Sequence, residues 1–448
     1  MANKYWQGGA ASIAQVQRWT LAGTWEASDI VRFQVGNRIV DVNAGSTVID
    51  TVLATLMAAW AALDATLFPE FAEMTASIDA ANDYFILTAN TPGNSFTVTL
   101  HPLESDGSTD GDAQTINGSN VATAGTSVTA NSSPNDGSIA TNWSGGTVPA
   151  DGDTFIFSDS NVDLSEGLDF SAINANVIVE QSYTGKIGRP LTNRGGYVEY
   201  RPTYLKIGAA DSPAQSVTIG QGVGIGSGRI KIDAGASTTT FVVHNTGTPI
   251  DAGIPAVLLK GTDAANTLTV NKGTVGVAVL PYDESGAAEE AATIATLNVG
   301  YVTNPNGDSA VFCGPGVTLT TINQSGGRLE IETAATTITK TGGDLSVLGN
   351  GVTITTLNVW GGAAYVIGTT TITTANLSNA GILDYTRDTR GKVITNAVNC
   401  YGRQFKFRDP GRIVSSTSAG NVIVDLEFTD AIGNCELGSH IKLTRALL

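Results

Sequence analysis

Hydrophobic and polar positions change rhythm several times along the chain, and each change marks an element. In "VRFQVGNRIVDV", Val31 to Val42, apolar and polar residues alternate on both sides of Gly36-Asn37. That pattern predicts a hairpin with a two-residue turn, Phe33 opposite Val40 and Val31 opposite Val42. The spacing then becomes helical: Ile49, Val52, Leu53, Leu56, Trp60 and Leu63 form one stripe, Ser46 stands where a cap belongs, and Pro69 follows the end. A helix is expected over 46–65. "DYFILTA" and "SFTVTLHP" return to alternation around "NTPGN" and predict a second hairpin. Residues 1–103 thus read as a small α+β domain whose helix covers one sheet face.

From 104 to 141 the chain is rich in Gly, Ser, Thr, Asn and Asp and nearly free of large apolar groups. It cannot build a core, so an extended connection or an irregular edge is expected. After Trp143 short apolar runs follow one another quickly, from "DTFIF" through "NVIVE", "SVTIG" and "TTTFVVHN" to "AVFCG". Then a repeat emerges: "TTINQSGG" from Thr320, "TTITKTGG" from Thr336, "TTLNVWGG" from Thr355 and a looser "TTANLSNAG" from Thr373. Likewise "TIATLNVG" from Thr293 matches "TITTLNVW" from Thr353.

Similarity at so short a period is what stacked coils require, because equivalent positions on successive coils touch. The fold class expected is mainly β: a right-handed parallel β-helix over 142–412, preceded by the small domain. Ile322, Ile338 and Leu357 would stack inside, and the pairs Gly326-Gly327, Gly342-Gly343 and Gly361-Gly362 would turn the corners. Asn323, Asn358 and Asn376 would form a partial amide ladder, interrupted by Thr339. Residues 413–448 would cap the last coil or form a trimerisation tip.

Charge narrows the partners. A formal net charge of −17 and a pI near 4.5 exclude the clustered positive field that nucleic acid needs. Cys313, Cys400 and Cys435 are an odd set without CxxC spacing, which indicates reduced, buried thiols rather than a disulfide framework or zinc site. "MANKYWQGGAAS" lacks the basic start and apolar run of a secretory signal. "VLATLMAAWAAL" is too short to span a bilayer. The expectation is a soluble protein that folds in a cytoplasm, without membrane insertion.

Candidate chemistry is sparse. His101, His244 and His440 lie far apart with no metal-ligand spacing, and no nucleophile elbow or phosphate loop occurs. Asp106, Asp110 and Asp112 lack the ligand order of a calcium loop. "GQGVGIGSG", Gly220 to Gly228, is followed by a strand, so its alternate glycines read as close packing on one strand face. Asp163, Glu166, Asp169, Glu180, Glu199, Glu330, Glu332 and Asp384 could meet across coils as a glycan-cleaving pair, with solvated outward carboxylates as the default. No catalytic, metal-binding or cofactor-binding residue is assigned.

One stretch departs from the acidic background. "GKIGRPLTNRGGYVEYRPTYLKIG", Gly185 to Gly208, interleaves basic residues with tyrosines. Arg and Tyr are enriched at interface centres, so Arg189, Arg194, Tyr197, Tyr200, Arg201 and Tyr204 are candidates for a subunit or particle contact. The alternative is a solvated loop between coils.

That stretch, "YWQGG" at Tyr5 and "NWSGGTVPADGDTFIF" at Asn142 resemble uncharacterised virion-type proteins of tailed phages and prophage-like regions. "AQVQRWTLAGTWEASDIVRFQVGNRIVDVNAGSTVIDTV" is similar to the small domain that precedes the β-helix in some of them. The "W-S-G-G-x-V-P-x-x-G-D" pattern also starts β-helices in unrelated surface proteins. There Trp143 can plug the open first coil, and Pro149 with Gly152 can turn the chain into its first strand.

The resemblance implies a homotrimeric, non-enzymatic virion component, assembled in the host cytoplasm and displayed on the virion surface. Its partners would be itself, the major capsid protein or another virion protein, and host surface glycan. A capsid decoration or head fibre is the leading expectation. A tail fibre or tail spike that binds or cleaves host polysaccharide is the alternative, and a bacterial surface adhesin the third.

Overall fold

The computed structural model describes residues 2–105, 115–116, 123–190, 200–209, 214–282, 288–300, 309–378, 380–401, 404–410, 412–415, 421–424, 435–436 and 443–445. The molecule is mainly β, with two long parallel sheets and two small antiparallel ones. No helix among the described residues is long and apolar enough to cross a membrane.

The small domain is a pair of antiparallel sheets. One runs Thr126–Thr129, Val16–Ala22, Tyr84–Ala89, Met74–Asp79, and the other Arg38–Asn43, Ile30–Val35, Thr99–Leu103, Thr123–Ala124. The first hairpin has the expected register, Val31 opposite Val42 and Phe33 opposite Val40. Phe33 stacks on Phe85 of the other sheet at 5.5 Å, and Trp60 of the helix meets Phe33 edge-on at 5.1 Å. Those rings bring sheet, sheet and helix into one core.

Three expectations for this region are corrected. The helix spans Ile49–Ala61 rather than 46–65, since the Ser46 hydroxyl accepts the Val48 N–H in a local turn and Val48 holds the cap position without a side-chain bond. Past Ala62 the chain breaks into a turn in which the Asp64 carbonyl accepts the Leu67 and Phe68 N–H groups.

The second hairpin does not form as expected. Tyr84–Ala89 pairs with Met74–Asp79 and Val16–Ala22, whereas Thr99–Leu103 crosses to the other sheet beside Ile30–Val35. Gln15 pins that crossing by exchanging two hydrogen bonds with the Phe96 backbone. Alternation specifies which face of a strand is buried and leaves its partner open.

The boundary at residue 1 also moves. Asn3–Tyr5 pairs in parallel with Thr154–Phe157 and belongs to the first long sheet. The small domain is therefore an excursion from that sheet, and pieces of 104–141 serve as its edge strands.

The first long sheet has 15 strands and the second 11 among the described residues. From Gln215–Gln221 to Lys392–Cys400, successive strands alternate between the sheets, and each pairs in parallel with the strand two before it. Leu268, Leu297, Ile322, Ile338, Leu357 and Ala375 stand in register down the inside of the first sheet, all buried. Each large aliphatic in such a column contributes roughly 1.5–3 kcal/mol.

The repeat's other residues now have roles. Gly327, Gly343 and Gly362 have φ of 65°, 69° and 66°, the left-handed conformation that turns the chain from one sheet to the other. At Thr320-Thr321 the in–out alternation slips, so two consecutive side chains face outward and the strand bends. The amide ladder runs Thr269–Asn298–Asn323, then again Thr339–Asn358–Asn376–Asn399, with links of 2.8–3.2 Å.

Two polar residues occupy the inner column beside Val299 and Val359. Gln324 and Lys340 are buried there; Gln324 donates to the Gly327 and Asp344 carbonyls, and Lys340 to those of Gly342, Gly343 and Gly361. Burial pushes the Lys340 ammonium down to about 8, against the pull of Asp344.

One end of the long sheets is closed by aromatics. Trp143 is buried against Trp6, Phe155, Phe157 and Phe170, with ring centroids 5.0–6.3 Å apart, and its indole N–H donates to the Gly137 carbonyl. At the other end, Ile413–Ser415, Asn421–Val424 and Leu443–Arg445 continue the first sheet, and Cys435–Glu436 continues the second. Cys313 and Cys400 are both buried, with the Cys313 thiol pushed up to about 12.

Candidate functional site

The basic, tyrosine-rich stretch lies where the small domain meets the start of the long sheets. Arg194 and Tyr197 fall outside the described residues. Arg189, Tyr200 and Arg201 are brought together, and the partners that hold them come from the same chain.

The Arg201 guanidinium donates to Glu73 at 2.8 Å and to the Ser95 carbonyl at 2.9 Å, both in the small domain. It also lies 3.9 Å from Glu166, which pairs closely with Arg189, and Arg189 donates to the Ser165 carbonyl. The Tyr200 hydroxyl donates to Glu73, and the Tyr200 Cβ occupies the space where a side chain at Gly36 would sit. This explains the glycine in that turn. Burial raises Glu166 above the ordinary carboxyl range, against Arg189, Arg201 and the Ser95 hydroxyl that favour its charged form. A cleft of about 690 Å³ opens beside this clasp, lined by Ser95, Ser165, Glu166, Asp169, Phe170 and Arg201 among others.

Tyr204 stands apart from the clasp. It is buried with Leu258 and Leu280 on the outer side of the second sheet. Lys260 lies 4.2 Å from the centre of its ring and between Asp233, at 3.5 Å, and Glu290, at 3.7 Å. Glu290 accepts the Leu280 N–H, and burial raises its carboxyl against the nearby Lys260. Through these contacts Leu280 and Glu290 are fastened onto the sheet. Gly276 leaves the room, since a side chain there would press on Leu258 and Val279.

Val279 and Leu280 form one wall of a groove of about 490 Å³. Ile254, Pro255, Leu280 and Phe312 line it together with Glu330 and Glu332. Glu330 pairs with Arg328, whose guanidinium lies 5.8 Å from the Phe312 ring centre.

Most of the remaining carboxylates singled out in the sequence serve local structure. Asp163 binds the Lys186 N–H and ammonium, Asp169 the N–H and hydroxyl of Ser171, and Asp384 both donors of Thr386 with Arg408 at 3.6 Å. Glu180 meets the Ser182 hydroxyl at 3.4 Å. Glu199 lies outside the described residues. Among the described residues no group of three His, Cys, Asp or Glu is placed to hold a metal.

"GQGVGIGSG" is not a closely packed strand face. The strand ends at Gln221; Gly220 near its end and Gly222, Gly224 and Gly226 in the loop beyond it all have positive φ. Gly224 and Gly226 rest against Gln181, while Val223 and Ile225 are 89% and 79% exposed.

Glu73, Ser95, Lys231, Lys260 and Glu290 were not signalled by the sequence as partners of the tyrosine-rich stretch. Only their distance in sequence hid them: each is an ordinary polar residue until the fold brings it to an arginine or tyrosine. No family model, curated protein or solved structure matches the chain.

Proposed function

We propose that the two long sheets are walls of a right-handed parallel β-helix, and that the chain is a non-enzymatic structural protein of a bacteriophage particle. It acts as a homotrimeric surface spike or fibre that decorates the capsid, with the small domain at the anchoring end. The observation that carries this reading is the parallel pairing of every second strand from Gln215–Gln221 to Lys392–Cys400, with the aromatic plug and the clasped small domain at one end of the sheets. Fourteen strands along the first sheet's main path at about 4.8 Å each give a stiff body about 62 Å long. Right-handed crossovers are the rule where parallel strands of one sheet are joined. A stiff body with one differentiated end suits projection from a surface.

Labelled antibody against the chain, viewed on purified phage particles by electron microscopy, tests this reading. Label over the capsid is expected. Label restricted to the tail overturns the capsid assignment, and label on the envelope of uninfected bacteria with none on particles overturns the virion assignment.

A second reading, a tail spike acting on host glycan, draws on the groove that holds Phe312, Glu330 and Glu332 together. It requires new reducing ends from host polysaccharide, lost in Glu330→Gln and Glu332→Gln. The first reading expects none.

A further inference from the structure

The outer surface of the first sheet is unlike the rest of this acidic chain. Nine of its strands, from Gln215–Gln221 to Lys392–Cys400, contain no Asp, Glu or Arg, and their two lysines, Lys340 and Lys392, are buried. What faces outward is Thr and Asn in ranks. Thr267, Thr296, Thr321, Thr337, Thr356 and Thr374 stand in one register column, with the asparagine ladder beside it.

We infer that this charge-free threonine–asparagine face is the surface through which copies of the chain associate with one another. The inference rests on the trimeric reading above and assigns the face that would mediate it. The first argument is charge. Copies carrying −17 each repel, and any carboxylate buried between them would have to be desolvated. This is a face on which two copies meet without placing a single charge at the contact.

The second argument is area. Nine strands spaced about 4.8 Å apart and about seven residues wide at about 3.3 Å each make a face on the order of 850 Å². A standard specific interface takes about 800 Å² from each partner.

The third argument is rigidity. Threonine is stiff at χ1, and each ladder asparagine is already tied to a neighbouring strand. Little side-chain freedom is left to lose on burial. Each ladder amide also has a second N–H beyond the one it gives the ladder, a donor repeated at strand spacing that the ladders of copies converging on a three-fold axis can meet. The face is a regular ladder rather than a pocket, which favours a second regular surface over a small ligand.

Light scattering of the full chain across a dilution series, beside Thr321→Glu/Thr356→Glu, provides the test. Wild type is expected near three times 46.1 kDa. The double variant is expected at 46.1 kDa, or to need at least tenfold higher concentration to assemble, with the wild-type circular dichroism spectrum. Ser346→Glu, on the outer side of the second sheet, is expected to assemble like wild type.

If the double variant loses its fold, Thr353→Glu, at an exposed strand end of the same face, takes its place with the same expectation. Equal assembly of wild type and the face variant overturns the inference and leaves the trimeric reading intact. A wild type that stays at 46.1 kDa at every concentration overturns both. So does a monomer that binds neutral dextran through this face, with binding lost in the double variant, because the partner is then a glycan.

Discussion

The two long sheets share one interior and have opposite exteriors. Inside, both present columns of Val, Leu and Ile, exemplified by Leu268 to Leu357 in the first sheet and by Val311, Leu329 and Leu345 in the second. Outside, the nine strands of the first sheet from Gln215–Gln221 to Lys392–Cys400 are neutral. The second carries Lys231, Asp233, Lys260, Glu330, Asp384 and Arg408, several drawn into ion pairs. Stacking therefore constrains the inward positions and corner glycines heavily, and leaves the exterior of each sheet free to be specialised.

The difference is physical as well as compositional. On the first sheet, polar side chains satisfy one another between neighbouring strands, so bonding capacity is repeated at short, equal intervals. On the second, opposite charges are gathered beside Tyr204 and Leu280, where Lys260 and Glu290 lie out of water and each depends on the other.

That contrast breaks hardest at Lys260. Lys260→Ala leaves Glu290, only 2% exposed, without its closest cation, and should cost about 3–5 kcal/mol. A Lys260→Met/Glu290→Leu pair should recover most of that loss. Urea denaturation of the single and double variants measures both. A single-variant loss below about 1 kcal/mol would show that the second sheet's charges are as independent as surface pairs.

A smaller effect is expected on the neutral face. Asn358 gives one link to Thr339 and receives one from Asn376, so Asn358→Ala should cost about 1–2 kcal/mol. Thr356→Ala, which removes neither link, should change stability by under about 0.5 kcal/mol. Equal effects of the two would deny the ladder any energetic role.

The pH dependence separates the sheets further. Glu290 is raised above its ordinary value in the folded chain, so the folded state holds its proton more tightly than the unfolded state does. Its contribution to stability is fully present below the unfolded value and is lost as pH rises through the folded one. Relative to Glu290→Gln, wild type should therefore gain stability as pH falls from 7 towards 4.5, as read from paired melting curves. A gap that stays constant over that range contradicts the assignment. Replacing Thr356 with Gln should leave the pH profile of wild type unchanged, because the outer face of the nine strands around it carries no Asp, Glu, Arg or exposed Lys.

The smallest effect is expected from Ser346→Glu, an outward substitution on the already charged second sheet, at under about 0.5 kcal/mol in the thermal melt. A larger loss would mean that this exterior, too, is constrained.

Legibility followed the range of the interactions. The Val31–Val42 hairpin, the corner glycines, the Ile322–Ile338–Leu357 column and the buried Trp143 were readable because each is written in neighbouring residues or in a short repeat. The partner of Tyr84–Ala89 was not, since alternation is silent about which strand lies alongside. Arg189, Tyr200 and Arg201 stood out as interface residues by composition, but Glu73 and Ser95, roughly a hundred positions earlier, carry no mark of being their partners.

By itself, then, the sequence determined the inward positions, the turns and the spacing of the repeat, because those depend on local conformation and on the burial of apolar groups at a fixed period. Only the tertiary structure decided that Asn3–Tyr5 joins the first long sheet and that the arginines clasp the small domain. The same holds for the outward threonines, which line up across strands as one uncharged face. Each of these results depends on which distant segments meet, and that is settled by the packing of the whole chain rather than by any stretch of it.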